Sequence, residues 1–439
     1  MVTMRPTSKS TTRYEQIMLD HSTRPGDAAS LFNRASREAR AAVSVANEHE
    51  EIIRDVAAGV AAPALVGAVI WMLREANRRG LRRLRFLSRD GQVFHELAQR
   101  LQPRLNSDLD LEYVYSSRLT WSLAATDPDH LDDASWLFNS FMKSNATDLC
   151  ARLGLPFEDY VPALTAAGVS LDPDLRADQD RQRESMRRFL RTSSVKDHAA
   201  QRIAETRLLL LDYADQHLLA DPETGLVDAG WTGRMIGSLM HVSESVGTER
   251  PHALLWGHEP RPTGWTDPAR VAAYMYNTAA GRGLQWRVPD APFIVETFCM
   301  GDHGIVSGYR RAPSGQVEPI LQSTDNVAAE NWGLPVYRSA MYGSADALTE
   351  MPAEDLRPLI SQLMNAFWCH PTIAEAVVWG SYPYDSDPAG TAVRPLAWAL
   401  SEETPVRGDR AWRAGSFALS ADHAVDRYLV GPSRGSRNE

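Results

Sequence analysis

A chain of 439 residues, 44% of them hydrophobic, is long enough to bury one large core or two to three ordinary ones. Its formal net charge of −10 excludes a general electrostatic grip on nucleic acid or anionic lipid. Three widely spaced cysteines, Cys150, Cys299 and Cys369, form no CxxC and so exclude a disulfide framework or a thiolate zinc site, which suits a reducing cytoplasm.

In chain order, the start "MVTMRPTSKSTTRYEQ" has no apolar run and reads as a frayed tail, not a signal peptide. Residues 28–56 have helical composition, and 64–79 form a second helix that Gly80 ends as a C-cap. The uncharged stretch Val56–Leu73 nears the length of a membrane span. Its Ala and Gly content, Pro63 and the charged end "REANRRG" make it instead a buried helix starting at Pro63. "LRRLRFL", "VFHELAQRL" and "LEYVYSS" read as strand, helix and strand, a β-α-β unit that implies a parallel sheet. From about 122 to 205 apolar residues recur at helical spacing with no strand among them, the pattern of a helical insertion. "TGLVDAGWTG", "RMIGSLMHVSES" and "HALLWGH" then restore strand, helix and strand, expected in the same sheet. Beyond 260 the pattern is mixed: "GIVSGYRRAPSGQVEPIL" is a hairpin, and "DLRPLISQLMNAFWCH" and "TIAEAVVWGSY" are helices. The polar last dozen residues are expected to be disordered. This divides the chain into a tail and helical region (1–62), an α/β core carrying the insertion (63–260) and a mixed α/β carboxyl-terminal region (261–439).

In a parallel sheet, ligands bind at the carboxyl ends of the strands. Three such ends here carry polar groups. "FLSRDG" offers Ser88, Arg89, Asp90 and Gly91; "YVYSSR" offers Ser116, Ser117 and Arg118; "GLVDAGWTG" offers Asp228, then Gly230, Trp231, Thr232 and Gly233 at a helix start. Two carboxylates with hydroxyls, N–H groups and an Arg suit a phosphate with Mg²⁺, because hard oxygens hold the metal while donors neutralise the phosphoryl group. Taken singly, Asp90 opens a turn with Gly91 and Asp228 caps a helix. "ETFCMGDHG" brings Glu296, Asp302 and His303 together, either lining the pocket or forming a polar helix end. Trp231 and Trp256 either stack on a sugar or base or pack in the core. "HELAQ" has Gln99 where a zinc-protease motif needs a second His.

These strand ends resemble the haloacid dehalogenase-like (HAD-like) superfamily, and within it predicted hydrolases associated with bacterial polysaccharide and glycosyl-transfer functions. The resemblance spans roughly residues 60–400. It rests on the strand-"xRDG" element, "YVYSSR", "GLVDAGWTG", "PFIVETFCMGDHGIVSGYRR" and "HPTIAEAVVWGSY". It implies a Rossmannoid parallel sheet with a helical cap at 122–205, and Mg²⁺-dependent handling of a phosphorylated small molecule, a sugar phosphate or nucleotide sugar. In that superfamily the first strand ends in Asp-x-Asp-Gly; the first Asp attacks phosphorus and the second is the general acid and base. Here Asp90 takes the acid/base position, followed by Gly91, and Ser88 stands where the nucleophilic Asp belongs. Ser116 or Ser117 matches the hydroxyl motif, Lys196 or Arg118 the phosphate-neutralising cation, and Asp228 the metal-binding acid, with Asp90 as its partner and Thr232 near the place of a missing second acid. A serine there lacks the easy hydrolysis of an aspartyl phosphate, so its expected role is to hold phosphate. The rival expectation is a degenerate module that binds a phosphorylated ligand or a partner enzyme of a biosynthetic pathway, or a pocket reused for another transfer reaction.

Overall fold

The computed structural model describes residues 10–138, 145–172, 178–260, 265–385, 393–400 and 411–420. The polar carboxyl-terminal tail and the first nine residues lie outside them. The amino-terminal helices are α1 (Arg13–His21), α2 (Ala28–Ala42), α3 (Glu48–Val56) and α4 (Ala62–Arg79). Thr12 and Glu15 form a capping box on α1, while Asp27 and Asn47 cap α2 and α3. A π-helical turn, Ala57–Ala61, joins α3 to α4. Within it a Cβ on Gly59 would lie 2.8 Å from Tyr14 Cβ, so a glycine there lets α1 lie against the turn. The run Glu48–Arg79 is apolar and long enough to cross a membrane, but its most apolar window is 94% buried within the protein. Pro63 sits in the first turn of α4 and Gly80 ends it at φ +70°, both as the residue types predict.

The sheet follows. β1 (Arg83–Leu87), α5 (Gly91–Leu101), β2 (Asp110–Val114), α6 (Arg118–Ala124), α7 (Ala146–Leu153), α8 (Phe157–Ala166), α9 (Gln179–Leu190), α10 (Ser193–Gln216), β3 (Thr224–Trp231), α11 (Arg234–Ser245), β4 (His252–His258) and β5 (Val271–Asn277) come in that order. The strands form one five-stranded sheet, β2-β1-β3-β4-β5, with every pair parallel. Alternate residues face opposite layers. Phe86, Val227, Leu254 and Trp256 join the core with α1–α5, whereas Leu87, Leu226, Ala253 and Leu255 join one with α6, α10 and α11. β5 lies beyond residue 260, so the sheet crosses the boundary drawn from the sequence. "VAAYMYN" carries no turn residue on either immediate flank, and its strand character comes from pairing with β4.

The remaining elements are α12 (Ala291–Phe298), β6 (Val306–Arg311), β7 (Val317–Leu321), α13 (Val327–Trp332), α14 (Leu334–Ala347), α15 (Arg357–Trp368), α16 (Ile373–Gly380), β8 (Pro383–Asp385), β9 (Val393–Pro395) and α17 (Arg413–Leu419). β6 and β7 are the expected antiparallel hairpin. The helices α12–α17 share one core with α1–α4 and one face of the sheet, so the regions 1–62 and 261–439 do not have cores of their own in that layer. The segment 122–205 is helical with no strand among its described residues, and it builds a small separate core around Leu149, Leu153, Phe189 and Ile203. Its last helix continues past 205, and Leu210, Tyr213 and Ala214 of that helix pack on the sheet.

Candidate functional site

β1 lies inside the sheet and the chain leaves it in both directions: β2 pairs on one side and β3 on the other. This is a topological switch point, where the loops after adjacent strands diverge and open a crevice at the carboxyl edge. Beyond β1, Ser88 N–H donates to Val114 O at 3.0 Å, and Ser88 Oγ donates to Ser116 O at 2.7 Å while accepting from Ser116 N–H at 2.7 Å. Ser116 Oγ donates back to Ser88 O at 3.2 Å. Ser88 and Ser116 thus tie the ends of β1 and β2 together, and the Ser88 proton is committed to a backbone carbonyl. The peptide bond Ser88–Arg89 is cis. α5 begins at Gly91, where a Cβ would lie 2.6 Å from the carbonyl carbon of Phe86. The Asp90 carboxylate makes no capping bond to that helix. Asp90 does stand in the turn that leads into Gly91, as its residue type predicts, and its carboxylate is left for other work.

Asp228 lies inside β3, and Gly233, not Asp228, occupies the position before α11. Between them Gly230 has φ +107° and a Cβ there would fall 2.2 Å from Gly257 O, so only glycine fits this close approach of β3 to β4. Thr232 follows Trp231 on this turn. Trp231 is 9% exposed with its ring 5.9 Å from that of Trp256, which is itself fully buried, so both rings are packing residues.

Asp90 and Asp228 fall within electrostatic range of each other, and a third acid joins them: Glu296, from α12. Burial, then the charges of Glu296 and Asp228, push the Asp90 carboxyl well above the usual carboxylate range, against Arg89 and Arg118. Asp228 is raised to about 6, chiefly by burial; Arg118 and the N–H groups of Gly230 and Ala229 oppose the shift, and Glu296 adds to it. Cys299, at the end of α12, feels all three acids, and burial and their charge hold its thiol well above the ordinary range. It is a protonated wall of the site. Tyr384, from β8, donates to Glu296 Oε2 at 2.9 Å. Arg118, the first residue of α6, is exposed, and its guanidinium has no hydrogen bond or ion pair among the described residues.

The other sequence candidates have separate duties. Ser117 caps α6, its Oγ accepting from Thr120 N–H at 3.4 Å. His303 is buried; Nδ1 meets Gly304 O at 2.7 Å and is therefore its protonated nitrogen, which leaves Nε2 to accept from Tyr113 Oη at 2.7 Å. Burial lowers its pKa and keeps the ring neutral. Asp302 is held by Gln92 at 2.6 Å and by Arg338 at 2.8 Å. Of "ETFCMGDHG", then, Glu296 enters the acid group, while Asp302 and His303 fasten the segment to its neighbours. Lys196 lies in the first turn of α10, where Nζ reaches Asp129 O at 3.4 Å inside the insertion. Of the two expected phosphate-neutralising cations, Lys196 and Arg118, Arg118 is the one beside the acids.

Sequence reading missed Tyr384 and the place of Cys299, because nothing local in "GSYPYD" or "ETFCM" points at strands some 70 to 300 residues away. The donor chemistry of three carboxylates suits a hard cation. Among the described residues, however, no three His, Cys, Asp or Glu side chains are grouped as a ready-made metal site. A cation would need phosphoryl oxygens to complete its shell. Fold and site together define an α/β protein with a parallel five-stranded sheet and a carboxylate group at its switch point. No protein-family model matches the chain, and no curated protein matches it.

Proposed function

We propose that this chain is a HAD-like hydrolase or phosphotransferase of the bacterial cytoplasm. Its substrate is a phosphorylated small molecule of a biosynthetic pathway, a sugar phosphate or nucleotide sugar. One observation carries the reading: three carboxylates, Asp90, Asp228 and Glu296, lie within electrostatic range of one another at the switch point, beside Arg118, whose guanidinium has no hydrogen bond or ion pair among the described residues. Asp90, pushed furthest toward keeping its proton, is the general acid that protonates the leaving alkoxide. A neighbouring carboxylate, Asp228 or Glu296, takes the proton of the attacking water. Arg118 faces the phosphoryl oxygens. Mg²⁺, held by the ionised carboxylates, Asp228 foremost, would neutralise the phosphoryl charge. Attack by water replaces the covalent cycle that Ser88, tied to Ser116, is not placed to start.

The bond from Ser88 to Ser116 also favours a second reading, a module that binds the phosphorylated ligand, or a partner enzyme carrying it, without turning it over. Calorimetry with inorganic phosphate in MgCl₂, with hydrolysis of p-nitrophenyl phosphate in parallel, separates the two. Arg118→Ala should weaken phosphate binding by about tenfold or more, the worth of a charge-assisted hydrogen bond, while Lys196→Ala stays within about twofold of wild type. Asp90→Asn should abolish hydrolysis and keep binding. Arg118-dependent binding without hydrolysis in wild type selects the second reading, and absence of phosphate binding ends both.

A further inference from the structure

We propose that Tyr384 is a positioning residue of the acid group and acts through Glu296: its hydroxyl holds Glu296 Oε2 and leaves Oε1 as the oxygen free for a ligand. The inference rests on the phosphoryl-site reading. Glu296 is the one acid of the three on a long side chain, and it stands on α12, outside the sheet that carries the other two. Unheld, such a side chain loses rotamer freedom each time it meets a ligand. Tyr384 removes that loss in advance. Its hydroxyl donates to Glu296 Oε2 at 2.9 Å, and its ring meets Phe293, one helical turn before Glu296 on α12, edge-on at 6.0 Å and 68°.

The strand beneath Tyr384 is itself fastened, since its N–H donates to Tyr382 O at 2.9 Å and Leu396 N–H donates to the same carbonyl at 3.0 Å. Burial, and then the charge of Glu296, hold the Tyr384 phenol well above its ordinary pKa, so it remains a donor throughout the neutral range. Arg118 and Asp90 also act on that phenol, so Tyr384 lies within electrostatic range of the rest of the site and not of Glu296 alone. The carboxyl-terminal region thus supplies both the third acid and the group that aims it.

The test is calorimetry of the full chain with inorganic phosphate in MgCl₂ across pH 5.5–8.5, with circular dichroism to verify folding. Tyr384→Phe should weaken phosphate binding by about tenfold or more, as loss of a hydrogen bond to a charged group predicts. A tyrosine that only supported the fold would weaken binding in the Glu296→Gln background as well. Glu296→Gln combined with Tyr384→Phe should bind no more weakly than Glu296→Gln alone. Should Tyr384→Phe not fold, Glu296→Asp keeps the charge, shortens the reach to Tyr384 and is expected to show the same loss. Wild-type affinity in Tyr384→Phe or Glu296→Asp, or losses that multiply in the double variant, overturns the inference while the site reading stands. If wild type binds no phosphate, the site reading falls and takes the inference with it.

Discussion

At the residue scale, the acids at the switch point make the protein sensitive to pH in an unusual direction. A carboxyl whose folded pKa lies above its unfolded value stabilises the fold at low pH, and that stabilisation is lost as pH rises through the folded value. Asp228, raised to about 6, places the loss between roughly pH 4 and 7, and Asp90, raised further, extends it upward. Carboxylates such as Asp27, whose pKa is lowered by backbone N–H groups, act in the opposite sense, so the total slope mixes both. A difference isolates the site. Asp228→Asn should match wild type near pH 4 and exceed it at pH 7.5 by up to about 3 kcal/mol, the worth of a two-unit shift at about 1.4 kcal/mol per unit. Urea midpoints at the two pH values measure this, and a pH-independent difference would show that burial does not raise the Asp228 carboxyl.

At the element scale, the junctions between strands and helices decide where the site groups stand. Gly91 lets α5 start directly on the backbone of β1, and Asp90 just before it makes no capping bond to that helix. Gly80 also ends an element, but a Cβ there meets nothing within 4 Å and only its φ of +70° resists substitution. Gly91→Ala should therefore destabilise by about 3 kcal/mol or more, because backbone must move, and Gly80→Ala by about 1 kcal/mol. Comparable midpoints for the two variants would mean that α5 can slide off β1 at little cost. Both glycines stand out in the sequence as turn residues. Their different prices come from what lies across the gap, which neighbouring residues do not announce.

At the scale of the whole molecule, the helical insertion and the sheet are separate cooperative units to the extent that their cores are separate. Leu149, Leu153, Phe189 and Ile203 pack among themselves, while α10 reaches the sheet only in its carboxyl-terminal half. The residues around the acids come from the sheet, α6, α12 and β8. Hydrogen exchange should show residues 145–190 opening at lower free energy than β1, β3 and β4, with phosphate slowing exchange around Asp90, Asp228 and Glu296 and leaving 145–190 nearly unchanged. Uniform exchange across the insertion and the sheet would make them one unit. Strong ligand protection of 145–190 would show that the insertion closes over the site as a cap.

Much of this was legible in the residues alone, where the signal is local. Alternating and continuous apolar runs mark β1 to β4, the helical spacing of 122–205 marks the insertion, Gly80 and Pro63 mark helix ends, and the polar strand ends that carry Asp90 and Asp228 stand out because parallel sheets bind ligands there. Tertiary structure alone decided the rest. It placed β5 in the sheet by pairing, bound Ser88 to Ser116, gave Lys196 to the insertion and left Arg118 beside the acids. It also brought Glu296 and Tyr384 to strands far away in the chain. The physical reason is range: a backbone preference is set by neighbours in sequence, whereas the pKa of Asp90 or the partner of a hydroxyl is set by whatever packing carries to within a few ångströms, from any distance along the chain.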